Sequence, residues 1–233
     1  MNIDRIRTIT KIFLHMPFSQ TDIDFIVSHP FTNSWMAAIY DNDGNGKFVC
    51  LQNDTEQAEW IQYMERYIEE ADLRRILIIM NHPYILTFLH CIESFLSDVE
   101  LGEVLNSQWV CIENITGDKN VSGKELVEWF KRADKKSLMD EEDFQIYISL
   151  PEKVSIYRGV TAFNSKKTKA LSWTLKREQA EWFAKRFKTG TGQVWEMTVP
   201  KSRILCCLTS RGEDEVIVNL YGYRGKKEIY SVE

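Results

Sequence analysis

The chain has 233 residues, of which 44% are hydrophobic and 27% charged, and its formal net charge is −5. This composition excludes an intrinsically disordered chain and allows one large globular domain or two small ones. The longest apolar runs, such as ILIIM at 76–80, are too short to span a bilayer, so we expect no membrane segment.

The first 110 residues are predicted to be mainly helical. The stretch 54–71 begins with a capping Asp or Thr and carries one broad apolar stripe. The stretch 83–99 opens with a proline and is apolar on nearly all sides, which is typical of a buried helix. Shorter helices are predicted over 21–28 and 122–133.

The stretch DNDGNG at 41–46 matches the start of a calcium-binding loop. The twelfth position of that loop needs a bidentate Glu, and Gln52 stands there instead. The flanking segments look like two strands, or like a helix end and a strand. We therefore interpret 41–46 as a plain turn.

From about residue 144 the pattern changes to short runs rich in Val, Ile and Tyr between turn residues, which predicts strands. These runs are FQIYISL, VSIYRGV, QVWEMTV, SRILCCL and EVIVNLYGY. One helix is predicted among them, over 175–187. Its inward-facing residues are predicted to be Ala180, Trp182, Phe183, Ala184 and Phe187. The predicted fold class is α+β, with a helical region at 1–110 followed by a region with a small mixed β-sheet at 111–233.

Charge is divided unevenly along the chain. Residues 1–145 hold 13 basic and 25 acidic side chains, a net −12, whereas residues 146–233 hold 16 and 9, a net +7. Two explanations fit this division. The charges are clustered by chance, or the basic part binds the phosphates of a nucleotide or nucleic acid. Charge alone leaves both explanations open.

Five cysteines occur without a CxxC pair or a zinc-like pairing with histidine. The N-terminal segment carries Asp4 and lacks a small-residue cleavage site, which argues against a signal peptide. We therefore expect reduced thiols and a cytoplasmic location, with no metal. Cys206 and Cys207 are interpreted as two small hydrophobic residues of a strand.

Three short motifs lie in the basic part: YRG at 157–159, SWT at 172–174 and GEDE at 212–215. Singly, each has an ordinary explanation as an ion-paired arginine, a helix cap or a solvated turn. Three consecutive carboxylates repel one another, so the last motif is either fully solvated or kept because a reaction needs negative charge. The order and strand context of all three motifs together are far more specific than any one of them.

In this order, YRG, SWT and EDEVIV resemble the Arg, Ser-x-Thr and Glu-x-Glu motifs of mono-ADP-ribosyltransferases of the R-S-E type, over about residues 146–233. The resemblance implies a catalytic region in 111–233 that binds NAD as a substrate. It also suggests an origin like that of bacterial toxins or prophage proteins. No histidine follows His90, which disfavours the His- and Tyr-based branch of the family and its RNA phosphotransferase relatives.

The resemblance assigns catalysis to the acidic motif. Glu215 would hydrogen-bond the NAD ribose and stabilise an oxocarbenium-like transition state. Glu213, on the same side of an extended segment, would position or deprotonate the incoming nucleophile. Asp214 would point away and be dispensable.

The other two motifs would bind NAD. Arg158 would hold the pyrophosphate with its planar guanidinium, next to Gly159. Ser172 and Thr174 would hold the glutamate and the ribose, and part of residues 100–145 would complete the cleft.

The expected function is transfer of ADP-ribose from NAD to a macromolecule with release of nicotinamide. The Glu-x-Glu pair favours a protein arginine as acceptor, and the basic charge leaves RNA or DNA open. An NAD glycohydrolase and a catalytically silent binding module of the same fold are the alternatives. Three roles stay open for the acidic helical part: it orients the target, it covers the cleft, or it docks a neutralising partner protein.

Overall fold

The computed structural model divides the chain into two units. The first contains residues 1–97 and 110–112, and the second contains Asp98–Trp109 and the described residues from 118 onward. Within the described part of the chain, no helix is long and apolar enough to cross a membrane. The structure describes residues 1–41, 43–112, 118–162, 164–165, 170–186, 192–209 and 212–232.

The first unit combines helices with short antiparallel strands. In chain order its elements are α1 (Ile3–Leu14), β1 (Ser19–Gln20), β2 (Ile26–His29), β3 (Thr32–Ser34), β4 (Met36–Tyr40), β5 (Gly46–Cys50), α2 (Asp54–Glu70), α3 (Leu73–Ile79) and α4 (His82–Ile92). The predicted helix over 54–71 is confirmed as α2. Its cap is Asn53, whose side chain accepts from the first-turn backbone, and its apolar stripe buries Trp60, Met64 and Ile68.

One helix prediction in this unit is wrong, and another is confirmed as the buried helix α4 but ends earlier than predicted. Residues 21–28 form no helix, because the Thr21 hydroxyl donates to the Ile26 carbonyl at 2.8 Å and closes a turn that leads into β2. The helix predicted over 83–99 ends at Ile92 and is followed by a 3₁₀ turn and extended backbone at Leu96.

The turn predicted at DNDGNG is confirmed, and both flanks are strands. Strands β4 and β5, which pair antiparallel, are joined through Asp41 and the turn at 43–45. The Asp41 side chain accepts from the backbone nitrogens of Asp43 and Asn45 at 3.0 and 2.8 Å. The carboxylate that would begin a calcium loop is therefore used to hold the turn.

The second unit consists of helices packed with one antiparallel sheet. Its elements are α5 (Asp98–Trp109), α6 (Gly123–Arg132), α7 (Lys135–Leu138), α8 (Glu141–Ser149), β6 (Lys153–Val160), β7 (Ser172–Thr174), α9 (Arg177–Lys185), β8 (Gly192–Pro200), β9 (Ile204–Leu208), β10 (Glu215–Val218) and β11 (Lys227–Val232). The predicted helix over 122–133 is confirmed as α6, with the Ser122 side chain as its cap.

Within the part of the chain that the structure describes, the sheet has six strands in the order β11-β8-β6-β7-β10-β9. The prediction of a mixed sheet is wrong, since every neighbouring pair of strands runs antiparallel. Helix α9 connects β7 to β8, and these strands are not neighbours, so this crossover creates no parallel pair.

The run FQIYISL at 144–150 is not a strand and lies mostly in α8. The Asp140 side chain accepts from the Asp143 backbone nitrogen at 2.8 Å and starts the helix three residues earlier in an acidic first turn. Asp143 is buried and accepts from the Thr209 backbone nitrogen and hydroxyl at 2.6 and 2.5 Å. These bonds tie α8 to the end of β9.

The helix predicted over 175–187 is confirmed as α9, but one of its predicted inward residues, Trp182, is exposed and another, Phe183, is only half-buried. Ala180 and Ala184 face the core, whereas Trp182 is 54% exposed. Phe187 lies outside the described residues. Cys206 and Cys207 are fully buried in β9, and burial raises the pKa of Cys207 to about 12. Both therefore act as apolar side chains.

Gly159 allows α9 to lie directly against β6. A Cβ atom at this position would overlap the Ala180 carbonyl oxygen and come within 2.7 Å of the Ala184 nitrogen. These contacts are with helix backbone, which cannot give way as a flexible side chain can.

We expect Gly159→Ala to lower the free energy of unfolding by about 1–3 kcal/mol, because α9 must move away from the sheet. Urea denaturation of the purified chain measures this change. Ser155→Ala, at an exposed position of the same strand, is the matched control and should stay within about 0.5 kcal/mol of wild type. Equal stability of both variants would contradict close packing at residue 159.

Candidate functional site

The predicted site residues gather where two halves of the sheet meet. Strand β6 pairs with β8 along its whole length, and β7 pairs with β10 over three residues. Between these two ladders, β6 and β7 share a single register pair, Tyr157 with Thr174. Arg158 follows this pair on β6, and Glu215 lies opposite Thr174 on β10.

Arg158 crosses the junction between the two ladders. Its Nη1 atom donates to the Ser172 carbonyl oxygen, and its buried Nε atom has no hydrogen-bond partner among the described residues. Burial lowers the pKa of Arg158 to about 10, and the Glu215 carboxylate opposes this shift. The guanidinium therefore stays protonated at neutral pH, and an anion in the pocket would compensate part of its desolvation.

Glu215 is the first residue of β10 and is half-buried. The indole Nε1 of Trp109 donates to its Oε1 atom at 3.2 Å. Trp109 is the last residue of α5 and is 2% exposed. Carboxylate, indole and guanidinium thus come together from three separate segments of the second unit.

The turn before β10 is not the extended segment that was predicted for Glu213. Asp214 has a left-handed backbone with φ +46°, so side-chain alternation does not hold there. Its carboxylate pairs with the Lys176 amine at 2.8 Å. Glu213 and Glu215 nevertheless line the same pocket, because the left-handed backbone at Asp214 turns the chain between them.

Thr174 supports this turn. It is 4% exposed, and its hydroxyl donates to the Glu213 carbonyl oxygen at 3.0 Å and accepts from the Lys176 nitrogen at 3.1 Å. The hydroxyl thus acts as donor and as acceptor to the backbone around the acidic turn. The Thr174 hydroxyl therefore contacts the backbone of the segment that carries Glu213.

One pocket brings together all the predicted site residues, namely Arg158, Gly159, Ser172, Thr174, Glu213 and Glu215. Tyr157, Thr161, Asn164, Trp173 and Phe183 complete its lining. Trp173, the bulky residue inside the serine motif, is 3% exposed and donates to the Ala170 carbonyl oxygen at 2.9 Å, so it belongs to the core.

Sequence reasoning missed several residues around this pocket. Asn164 accepts from the Thr161 nitrogen at 2.8 Å and shapes the loop after β6, and Phe183 reaches the pocket from α9. Trp109 carried no local signal at all, because it lies 106 residues before Glu215. Tyr157 stands in the first motif, and burial together with the Glu196 carboxylate raises the pKa of its hydroxyl, which stays neutral.

Comparison of the chain with protein-family models, with curated proteins and with solved structures found no match. Among the residues that the structure describes, no group of three or more His, Cys, Asp or Glu side chains is arranged to hold a metal ion. The resemblance in the three motifs therefore stays a prediction that rests on the residues and on their geometry.

We expect Thr174→Val to lower the free energy of unfolding by about 1–3 kcal/mol, because it leaves the Glu213 carbonyl and the Lys176 nitrogen without their partner. Amide hydrogen exchange at 212–214 should become faster than in wild type. Thr198→Val, the same change at an exposed position of β8, should leave both properties unchanged. Unaltered exchange at 212–214 in Thr174→Val would show that the hydroxyl does not hold the turn.

Proposed function

We propose that this chain is an NAD-dependent mono-ADP-ribosyltransferase that breaks the nicotinamide–ribose bond and passes ADP-ribose to a macromolecular acceptor. The observation that carries the proposal is the meeting of Arg158 and Glu215 in one pocket at the junction of the two ladders. The order of the three motifs along the chain supports the same reading.

Arg158 suits the pyrophosphate of NAD. Its guanidinium is fixed at one end by the Ser172 carbonyl, and its Nε–H is buried without a hydrogen-bond partner among the described residues, so a nearby anion would stabilise this cation. A planar guanidinium binds two phosphate oxygens at once, which an amine cannot do. Because this cation already lies in a desolvated position, an incoming anion replaces hydration that folding has removed.

Glu215 suits the reacting ribose. When the nicotinamide bond breaks, positive charge develops at the anomeric carbon, and a fixed carboxylate stabilises that state more than the uncharged sugar of the ground state. The half-buried position strengthens this electrostatic effect relative to bulk water. NAD held by Arg158 would carry its ribose towards this carboxylate.

Glu213 suits the acceptor. It is exposed, and it lines the pocket beside Glu215. A carboxylate in this position attracts a guanidinium and can take a proton from it as the new bond forms, which favours a protein arginine as acceptor. The pocket is open to water beside the exposed Glu213, and this supports NAD hydrolysis as a second reaction of the same site, in which water attacks without help from Glu213.

We expect Glu215→Gln to lower nicotinamide release by about a hundredfold or more, because the neutral amide no longer stabilises the developing charge. Glu213→Gln should keep hydrolysis but lose transfer to the acceptor. Chromatography of released nicotinamide and mass spectrometry of ADP-ribose on proteins and nucleic acids of an added lysate measure both effects.

Three results of this experiment would argue against the proposal. Nicotinamide release that is equal in wild type and Glu215→Gln would remove the catalytic role of the carboxylate. Label on RNA or DNA would replace the protein acceptor by a nucleic acid. The absence of both release and NAD binding would leave a silent binding module.

We expect Arg158→Lys to weaken NAD binding by about tenfold to a hundredfold, the range for the loss of a charge-assisted hydrogen bond. Calorimetric titration of NAD measures the dissociation constant. Arg177→Lys is the matched control, since Arg177 pairs with Glu181 at 3.2 Å and stacks on Tyr230 outside the pocket. Equal weakening in both variants would mean that NAD binding does not depend specifically on the Arg158 guanidinium in the pocket.

A further inference from the structure

Glu215 has a hydrogen-bond donor that none of the three motifs contains. We infer that Trp109 is a positioning residue that orients the Glu215 carboxylate for catalysis, an inference that rests on the proposed function. The contact joins the indole Nε1 to Oε1 at 3.2 Å. An indole nitrogen can only donate, so the Glu215 oxygen is the acceptor of this bond.

The indole is held rigidly before it meets the carboxylate. Trp109 is 2% exposed and lies edge-to-face against Phe130 of α6, with ring centroids 4.7 Å apart and an interplanar angle of 88°. Such a pair stabilises one orientation of the ring. A buried Trp in fixed contact loses little further freedom when it forms a hydrogen bond.

Helix α5, which ends at Trp109, is fixed to the sheet through α7. Gly102 brings α5 close to the start of α7, where an added Cβ would lie 2.9 Å from the Asp134 carbonyl oxygen. The Lys135 amine then donates to the carbonyl oxygens of Phe130 and Leu205, both at 2.8 Å. Because β9 pairs with β10, this frame connects the indole to the strand that begins at Glu215.

The carboxylate needs such a partner. The last torsion of a Glu side chain is broad, so its two oxygens are not fixed by rotamer preference alone. The preceding residue, Asp214, has a left-handed backbone at the turn, and its carbonyl oxygen accepts from the Leu175 nitrogen at 3.0 Å, so the backbone at this point is fixed while the Glu215 carboxylate plane is not. A donor on Oε1 sets the plane of the carboxylate before NAD arrives and reduces the reorganisation needed at the transition state.

The inference changes the role of the helical segment before residue 110. Its last helix, α5, belongs to the second unit and supplies a side chain to the candidate active site. On this inference the catalytic region begins at the start of α5, Asp98, earlier than the predicted boundary at 111, and Trp109 is one of the residues of 100–145 that were expected to complete the cleft.

The hydrogen bond is tested without any activity. The chain has seven tryptophans, and the indole N–H signal that is lost from the ¹H–¹⁵N spectrum of Trp109→Phe belongs to Trp109. Glu215→Ala should shift this signal and speed its exchange with water, whereas Glu213→Ala should leave it in place. A Trp109 signal that Glu215→Ala does not move would overturn the inference.

The positioning role is tested by kinetics. Trp109→Phe should lower kcat for nicotinamide release about tenfold to a hundredfold, and KM for NAD should stay within about twofold, because Arg158 still binds the pyrophosphate. Trp129→Phe, the same change at a buried tryptophan of α6 outside the pocket lining, should leave both constants near wild type.

Each other result has a distinct meaning. A rise in KM without a fall in kcat, an unchanged kcat, or equal losses in both tryptophan variants would overturn the positioning role. If wild type releases no nicotinamide, the proposed function fails together with the catalytic role of Trp109. The indole signal would then still report the hydrogen bond to Glu215.

Discussion

The buried Arg158 side chain lies where the two halves of the sheet in the second unit meet. Strands β6 and β7 share one register pair, and beside it the Arg158 side chain reaches the Ser172 carbonyl in place of a continued ladder. A guanidinium in this position costs desolvation energy, and its pKa falls accordingly. The rest of the guanidinium is therefore stabilised by a nearby anion. This preference for negative charge is the main electrostatic property of the candidate site.

The surrounding structure fixes the acidic residues relative to this cation. Thr174 holds the backbone of the turn at Glu213, the left-handed Asp214 redirects the chain, and β10 places Glu215 opposite Thr174. Trp109 contacts the Glu215 carboxylate from a helix that is distant in sequence. A preorganised pocket of this kind suits a reaction in which charge develops at one known atom.

The local parts of this arrangement could be predicted from sequence, and the distant parts could not. The capped stripe of α2 and the Val- and Ile-rich runs of the sheet gave correct elements because their patterns are local. The run at 144–150 was predicted as a strand from its composition. It is helical because the Asp140 cap before it starts a helix. The hydrogen bond from Trp109 to Glu215 joins residues 106 positions apart, so no periodic pattern in the sequence indicates it.

The most direct test of the account is a crystal structure of the chain with a non-hydrolysable NAD analogue. We predict that the pyrophosphate lies within hydrogen-bonding distance of Arg158 and that the nicotinamide ribose contacts the Glu215 carboxylate, with the Trp109 indole still bound to it. An analogue bound away from these residues, or no bound analogue at saturating concentration, would contradict the account.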